Sequence, residues 1–303
     1  MPCPFCNSSI SKTAAYPRNN FNHKLFQYVK CGGCGLVYLS TFPDEKDYEA
    51  MYPPSYQRNE AETSVQADPY IKLYGLRVSY GYQFDLIKQN TGPNARILDY
   101  GCGTGHFLGN AVHYGFACDG AEFNPEYLTV LRQSFTKSKF FTISEVLSGQ
   151  VAEKYDVIRL SNVLEHLTTP REIIAKLKSL LAPGGILLVE GPIEDNFSLA
   201  ESFRKIYFRV GKWLKPGRTV TAPPYHIFFS NAKNQRQFFK DCGFEEIHFK
   251  TSEEAWPFPA SVKEAKGVQG KITAIVAKLS KSFTKLAGKN WGNIFIYCGK
   301  VKG

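Results

Sequence analysis

The strongest constraint on the fold is a glycine-rich turn that directly follows an apolar segment. Residues 95–100 have the composition of a buried strand, and Gly101, Gly103 and Gly105 come immediately after it. Because glycine lacks a Cβ atom, backbone amides in such a turn can approach a ligand closely. A dinucleotide fold requires the spacing G-x-G-x-x-G, and His106 occupies the place of the third glycine, so that fingerprint fits poorly.

The chain around this turn alternates between strand and helix patterns. Strands are predicted over 95–100, 116–122, 139–143, 155–160, 186–190, 244–251 and 293–298, and helices over 68–89, 105–114, 170–181 and 231–242, with another helix starting at Asn124. This alternation indicates an α/β fold, in which a mostly parallel sheet carries helices on both faces. An aromatic, proline-rich insertion is expected at about 192–225.

Four segments in order carry a resemblance to a known family. They are the motif Asp99-x-Gly-x-Gly-x-Gly, Glu122 at the end of the second strand, residues 155–167, and the turn at 181–185. Together they resemble the class I S-adenosylmethionine-dependent methyltransferases over about residues 70–250. The resemblance implies methyltransferase activity, S-adenosylmethionine as cofactor, and a Rossmann-like, seven-stranded, mostly parallel sheet. It also implies the cofactor-binding residues, which are Asp99, Gly101, Gly103, Gly105, Glu122 and Asn162.

The same resemblance suggests roles within that set. Glu122 is expected to hold both ribose hydroxyls, because a carboxylate can accept two hydrogen bonds at once. Asp99 is expected near the methionine end of the cofactor, with the alternative that it only fixes the turn. Residues 144–146 are expected beside the adenine ring.

Methyl transfer from a sulfonium requires an aligned acceptor and, where the acceptor carries a proton, a base. His166 follows the fourth predicted strand and His226 follows the insertion, so both are candidate catalytic residues near the ligand-facing strand ends. His226 is the preferred general base. For His166, ordering of its loop is an equally good interpretation, and for His226 the alternative is packing within an aromatic cluster.

Eight cysteines divide into two groups. Cys3, Cys6, Cys31 and Cys34 form two C-x2-C pairs, and two such knuckles can complete a tetrahedral zinc site without an open ligand position. Structural zinc is therefore predicted in a ribbon over 1–41, followed by a connector over 42–67 and a methyltransferase domain over 68–303. The other cysteines are expected to be packing residues, namely Cys102, Cys118, Cys242 and Cys298.

The cysteine module resembles the N-terminal zinc-binding domain of sugar C-methyltransferases, which act on nucleotide-linked sugars. That resemblance implies a small-molecule or cell-surface glycan precursor as acceptor. Tyr225 stands where that family has a glutamate before the histidine, and a chain of 303 residues is expected to lack the family's extra C-terminal domain. Oxygen methylation is thus at least as plausible as carbon methylation.

The formal charge of +10 is concentrated late in the chain, where residues 263–303 hold nine lysines and one acidic residue. A basic amphipathic helix predicted at about 271–287 could lie on an anionic membrane or pack on the sheet with its lysines in water. Six cations of the insertion could receive a phosphorylated substrate, namely Arg204, Lys205, Arg209, Lys212, Lys215 and Arg218.

The N-terminus lacks the pattern of a signal peptide and no apolar run spans a bilayer, so a cytoplasmic protein is expected, with peripheral contact at the inner membrane face as an option. Two alternatives to a small-molecule methyltransferase remain open. One is an RNA methyltransferase that uses the ribbon and the basic surface to bind RNA, and the other is a binding module without catalysis. DNA is not expected as a partner.

Overall fold

The computed structural model describes residues 1–53, 78–214, 219–253, 263, 265, 267–287 and 290–302 of the 303-residue chain. The part of the helix predicted over 68–77 therefore lies outside the described residues, as do residues 54–67 of the predicted connector. Among the residues described, no helix is both long and apolar enough to cross a membrane.

Seven strands form the central sheet. They are β6 (Arg96–Tyr100), β7 (Ala117–Glu122), β8 (Phe140–Thr142), β9 (Tyr155–Ser161), β10 (Leu181–Pro192), β13 (Phe244–Ser252) and β14 (Ile294–Val301), in the order β13-β14-β10-β9-β6-β7-β8. β14 runs antiparallel to both β10 and β13, and the other neighbours are parallel. The predicted Rossmann-like, mostly parallel sheet is confirmed.

Helices cover both faces of this sheet. They are α2 (Val78–Thr91), α3 (His106–His113), α4 (Pro125–Ser134), α5 (Ile143–Ser148), α6 (Pro170–Leu180) and α8 (Ala232–Asp241). Consecutive strand residues supply two separate cores, since Ile97 packs with α2, α3 and α4, whereas Leu98 packs with α6 and α8. Strands buried on both faces need continuous apolar runs, which explains why these segments were recognisable in the sequence.

The N-terminal region forms two small sheets, which are completed by one strand from the insertion and one strand just after it. Its own elements are β1 (Ser11–Thr13), β2 (Arg18–Phe21), β3 (Lys24–Phe26), β4 (Tyr28–Cys31), β5 (Val37–Leu39) and α1 (Glu45–Met51). β11 (Thr219–Thr221) adds to the sheet of β2 and β3, and β12 (Phe228–Phe229) pairs antiparallel with β5. The segment predicted as a connector thus contains α1, and Asp44 caps the N-terminus of this helix in a capping box.

Two long helices lie late in the chain. α7 (Leu199–Leu214) occupies the predicted insertion, and α9 (Gly267–Ala287) begins four residues before the predicted start of the basic helix. The two helices contact each other, and α9 also contacts β13.

Gly105 starts α3 in a conformation that only glycine adopts easily, with φ at 83°. A Cβ atom there would lie 2.6 Å from Cδ2 of Leu131 and 3.1 Å from Cε2 of Phe135. The glycine is therefore required both by the backbone and by the close approach of α4 to the turn.

We expect Gly105→Ala to lower the free energy of unfolding by about 2–5 kcal/mol, because overpacking adds to the backbone strain. Gly92→Ala is the matched control, since Gly92 also has positive φ but open space around its Cβ position, and only the backbone cost of about 1–2 kcal/mol remains. Urea unfolding of both variants measures the difference, and equal losses would contradict the packing argument.

Candidate active site

A cavity of about 600 Å³ opens at the carboxyl ends of β6, β7 and β9. One side is formed by residues that the sequence predicted for the cofactor, namely Gly101, Gly103, Glu122 and Asn162. The remaining wall includes four aromatic side chains and one histidine: Tyr48, Tyr52, Phe123, Tyr127 and His166. Ligands of open α/β sheets bind at this edge, so the position agrees with a cofactor site.

The glycine turn is held against the neighbouring strand by its own amides. The N–H groups of Gly101 and Cys102 both donate to the carbonyl oxygen of Ala121, at 2.8 and 3.0 Å. Gly101 has a φ of 78°, and a Cβ atom there would lie 2.3 Å from Cγ2 of Val163. This side of the turn is closed to any larger residue, which keeps the backbone beside the cavity.

Glu122 is fixed at the end of β7 by two backbone donors. Its Oε2 accepts from the N–H of Gly103 at 2.8 Å, and its Oε1 accepts from the N–H of Asn124 at 3.0 Å. Burial raises the pKa of this carboxyl, and the backbone N–H groups of Asn124, Gly103 and Phe123 oppose the rise. A carboxylate has about four acceptor positions, so Glu122 retains the capacity to accept from a hydroxyl group in the cavity.

Asp99 lies beneath the glycine turn and is 1% exposed. Its Oδ1 accepts from Nη1 of Arg159 at 2.7 Å, and the guanidinium of Arg159 stacks on Phe107 at 3.9 Å. Burial raises the pKa of Asp99, and Arg159 opposes that rise. The carboxylate of Asp99 is thus engaged in a buried ion pair with the neighbouring strand, and its place at the cofactor stays a prediction.

The segment predicted beside the adenine ring, residues 144–146, directly follows a residue of the cavity wall, and its role stays a prediction. Ile143 lines the cavity, whereas Glu145 caps the start of α5 by exchanging hydrogen bonds with Thr142. Asn162 reaches the wall with a positive φ of 52°, and its N–H donates to the carbonyl of Glu190 at 2.9 Å. Asn162 is thus held at the cavity wall by the neighbouring strand, and its contact with the cofactor stays a prediction.

The two candidate histidines lie together. The ring centroids of His166 and His226 are 5.0 Å apart, although the residues are far apart in sequence. Among the described residues, the cavity wall includes His166 and not His226. Nδ1 of His226 lies 2.5 Å from Oε2 of Glu194, and this buried carboxylate fixes the ring.

In this cluster the two carboxyl groups have pKa shifts in opposite directions, and so do the two imidazoles. Burial lowers the pKa of His166 to about 4, assisted by the charge on His226, and burial raises the pKa of Glu165 to about 7. Burial also acts on the Glu194–His226 pair, but their mutual attraction prevails, so the pKa of Glu194 falls and that of His226 rises. At neutral pH the imidazole of His166 at the cavity is thus uncharged, and the carboxylate of Glu194 favours the charged form of the neighbouring His226.

The tautomer of His166 follows from its partners. Its Nδ1 lies 2.7 Å from the carbonyl oxygen of Tyr225, which can only accept, so Nδ1 carries the hydrogen and Nε2 is an acceptor. In His226 the carboxylate of Glu194 likewise takes the Nδ1 hydrogen, leaving Nε2 to accept a proton. In the uncharged form of each ring, Nε2 is therefore the nitrogen that can accept a proton.

The N-terminal region contacts both histidines. In the ribbon, the hydroxyl of Tyr28 donates to the carbonyl of His226 at 2.8 Å. In the connector, the hydroxyl of Tyr48 donates to the carbonyl of His166 at 2.8 Å, and that of Tyr52 lies 3.0 Å from Nδ1 of His166. The ribbon and the connector thus both support the candidate site.

Several residues of this site were missed by sequence reasoning. Glu194, Glu165, Tyr48 and Tyr52 are brought to the histidines by long-range folding, and no local spacing marks them. Of these four residues, only Glu165 had a signal in the sequence, because it directly precedes the candidate His166.

Two of the basic residues in the insertion form ion pairs with acidic residues. Arg204 pairs with Glu201 at 2.6 Å and with Glu194 at 3.4 Å, and Lys205 pairs with Asp195 at 2.9 Å. Their charge is balanced locally, which weakens the expectation that they receive a phosphate. Lys215 and Arg218 lie outside the described residues.

Two groups of side chains could hold a metal ion among the described residues. In the first, the four cysteine Sγ atoms lie within 4.8 Å of one another, with 3.6 Å between Cys3 and Cys34 and 3.5 Å between Cys6 and Cys31. A tetrahedron with Zn–S bonds of about 2.3 Å has edges of about 3.8 Å, so the set fits zinc. The second group is Glu165, His166 and His226.

Residues 79–248 match a family described as a methyltransferase domain. Because this match covers more than half of the chain, the protein belongs to that family. Two similar proteins are the ubiquinone biosynthesis O-methyltransferases of Pasteurella multocida, 32% identical over 133 residues, and Dinoroseobacter shibae, 30% identical over 146 residues. The matches cover 39% and 46% of this chain, and the chain spans 53% and 58% of the two relatives.

The similarity of one solved structure concerns the fold alone. A chain from the complex of the Haloferax volcanii Trm112 methyltransferase activator with a methyltransferase superposes with a TM-score of 0.51 at 11% identity. The alignment covers 87% of this chain and all of the other.

We expect Glu194→Gln to lower the pKa of His226, because the charge that favours the imidazolium is removed. The stability that Glu194 contributes is present above pH 4.5 and is lost as the pH falls through the lowered pKa of Glu194. The stability that His226 contributes is present below pH 6.5 and is lost as the pH rises through the raised pKa of His226. The stability penalty of the variant should therefore be largest between these values and smaller at high pH.

Histidine ring NMR and urea unfolding from pH 4 to 9 measure both effects, with Glu49→Gln as an exposed control. An unchanged His226 titration, or a penalty independent of pH, would contradict the pairing.

Proposed function

We propose that the protein is an S-adenosylmethionine-dependent methyltransferase that methylates a hydroxyl group of a small molecule or of a cell-surface glycan precursor. The observation that carries the proposal is a single cavity with the glycine turn and Glu122 on one side and His166 on the other. Such a cavity can bring a cofactor and an acceptor together, which is what an in-line transfer needs.

The cofactor fits the glycine side. Glu122 would bind the ribose hydroxyls with the acceptor sites that Gly103 and Asn124 leave available, and Asn162 would contact the same ligand. When bound, the cofactor supplies a methyl group already activated as a sulfonium. The carboxylate of Asp99 is held by Arg159 next to this side of the cavity.

The histidines serve the acceptor side. His226, with its carboxylate partner Glu194, is the general base, and the uncharged ring of His166 orients the acceptor hydroxyl at the cavity wall. The raised pKa of His226 makes it a stronger base, and Arg204 helps to keep Glu194 ionised. A proton taken from the hydroxyl would thus remain on a buried ion pair.

Oxygen methylation is favoured over carbon methylation by two observations. The curated relatives are named O-methyltransferases, and Tyr225 replaces the glutamate that the sugar C-methyltransferases carry. The glycan acceptor itself is supported by the cysteine module and its resemblance to that family.

We expect S-adenosylhomocysteine to bind in isothermal titration, and Glu122→Gln to weaken binding about 10- to 100-fold through loss of charged hydrogen bonds. Glu245→Gln, an exposed acid on β13, should bind normally. No affinity in the unaltered protein would overturn the function.

His226→Ala should lower turnover about 10²- to 10⁴-fold at unchanged cofactor affinity, because proton removal is lost. Turnover is measured by transfer of labelled methyl to nucleotide sugars, lipid-linked glycans, phenols and RNA, with His113→Ala as a surface control. Full turnover in His226→Ala would show that His226 is not the general base.

Methylation confined to RNA, together with a steeply salt-dependent affinity for RNA, would favour the alternative function of an RNA methyltransferase.

The proposal includes structural zinc on Cys3, Cys6, Cys31 and Cys34. Metal analysis should find one zinc per chain, lost in Cys34→Ser and retained in the control Cys242→Ser. A further equivalent that disappears in His226→Ala would instead assign a metal to Glu165, His166 and His226, and would replace the proton-transfer role.

A further inference from the structure

The outer face of α9 is a stripe of large apolar side chains that faces solvent. Its members recur every three to four residues and are between 41% and 86% exposed: Val268, Ile272, Ile275, Leu279, Phe283 and Leu286. At 100° per residue, all six fall within an arc of about 80°. An ordinary surface helix turns such a stripe toward the core, so this one is reversed.

The inner face of α9 explains the reversal. The buried residues are Ala274, Ala277 and Ser280, which are small and allow the neighbouring elements to approach closely. The hydroxyl of Ser280 donates to Oε1 of Glu253 at 2.8 Å and accepts from the N–H of Ala200 at 3.1 Å. Packing and hydrogen bonds therefore fix the helix with its large side chains outward.

α7 repeats the same arrangement beside it. Its exposed apolar residues are Phe203, Ile206, Tyr207, Val210, Trp213 and Leu214, and they occupy one arc of about 120°. Trp213 is 79% exposed. The opposite side of the helix carries Arg204 and Glu201, which are buried against Glu194. Two adjacent helices thus present apolar stripes, together called the apolar face here.

The exposed charges of α9 are positive. α9 carries exposed Lys271, Lys278, Lys281 and Lys285, and its 21 residues include no acidic residue. Lys271, Lys278 and Lys285 are seven residues apart, so they follow one flank of the stripe. Lysine side chains at such a border can reach the headgroups of lipids while the stripe enters the acyl region.

We propose that the apolar face of α7 and α9 binds the surface of an anionic lipid bilayer, with both helices lying in the interface. Charge complementarity selects this occupant, because a second copy of the chain would bring the same lysine row against itself. Twelve exposed apolar side chains on two contacting helices differ from the singly scattered apolar residues of an ordinary surface, and the flanking lysines supply the second attraction that stable interfacial binding requires. The proposal is independent of the methylation chemistry.

The test uses the full chain and vesicles of phosphatidylcholine, with or without 30% phosphatidylglycerol. We expect co-sedimentation with the anionic vesicles and a blue shift of tryptophan fluorescence that is absent in Trp213→Phe. Leu279→Ser/Phe283→Ser should bind at least about tenfold more weakly, because apolar area no longer leaves water. Lys278→Gln/Lys281→Gln/Lys285→Gln should lose about 100-fold on anionic vesicles, at about fivefold for each lysine.

Leu25→Ser is the matched control, since Leu25 is half exposed on β3 and should bind as the unaltered chain does. Circular dichroism and S-adenosylhomocysteine affinity verify that each variant is folded. The proposal is overturned if vesicles do not retain the protein, or if retention is the same in the stripe variant. It is also overturned if sedimentation shows a dimer that Leu279→Ser/Phe283→Ser dissociates, because a second copy would then cover the apolar face.

Discussion

The short pairing of β5 with β12 is the connection on which the candidate site depends. Phe228 and Phe229 pair with Tyr38 and Val37, directly after His226, so the cysteine module determines where this histidine lies. The hydroxyl of Tyr28 strengthens the connection by donating to the His226 carbonyl. The sheet supplies the cofactor side of the cavity, and the module supplies much of the support for the acceptor side. A bound zinc would therefore support the acceptor side as well as the fold of its own ribbon.

Charge alternates through the buried part of the site. Arg204 lies beside Glu194, Glu194 beside His226, and His226 beside His166. Each buried charge has an opposite neighbour, as burial requires. The alternation also separates the two imidazoles by protonation, because the carboxylate favours the charged form of one and that charge disfavours protonation of the other. α7 takes part through Arg204, so its inner side belongs to the site while its outer side is apolar.

The sequence predicted the sheet, the glycine turn and the cysteine pairs because each is encoded locally, by a period, a spacing or a residue type. It placed Asp99 at the cofactor, which stays a prediction, and it could not show the ion pair with Arg159, because that contact depends on the alignment of β6 with β9. It also identified both histidines without showing that they touch. Glu194 could not be found, because its role depends on the insertion folding back onto the strand ends. The direction of the α9 stripe was equally hidden, since periodicity defines a face but not which way it points.

The lysines along α9 have a consequence for the protein when it is free in solution. A chain that exposes two apolar stripes is at risk of adhering to other copies of itself. The formal charge of +10, concentrated near those stripes, makes two such molecules repel each other before the stripes can meet. The repulsion is screened as ionic strength rises. Colloidal stability of this protein is thus an electrostatic property, conferred by the residues that border its least soluble surface.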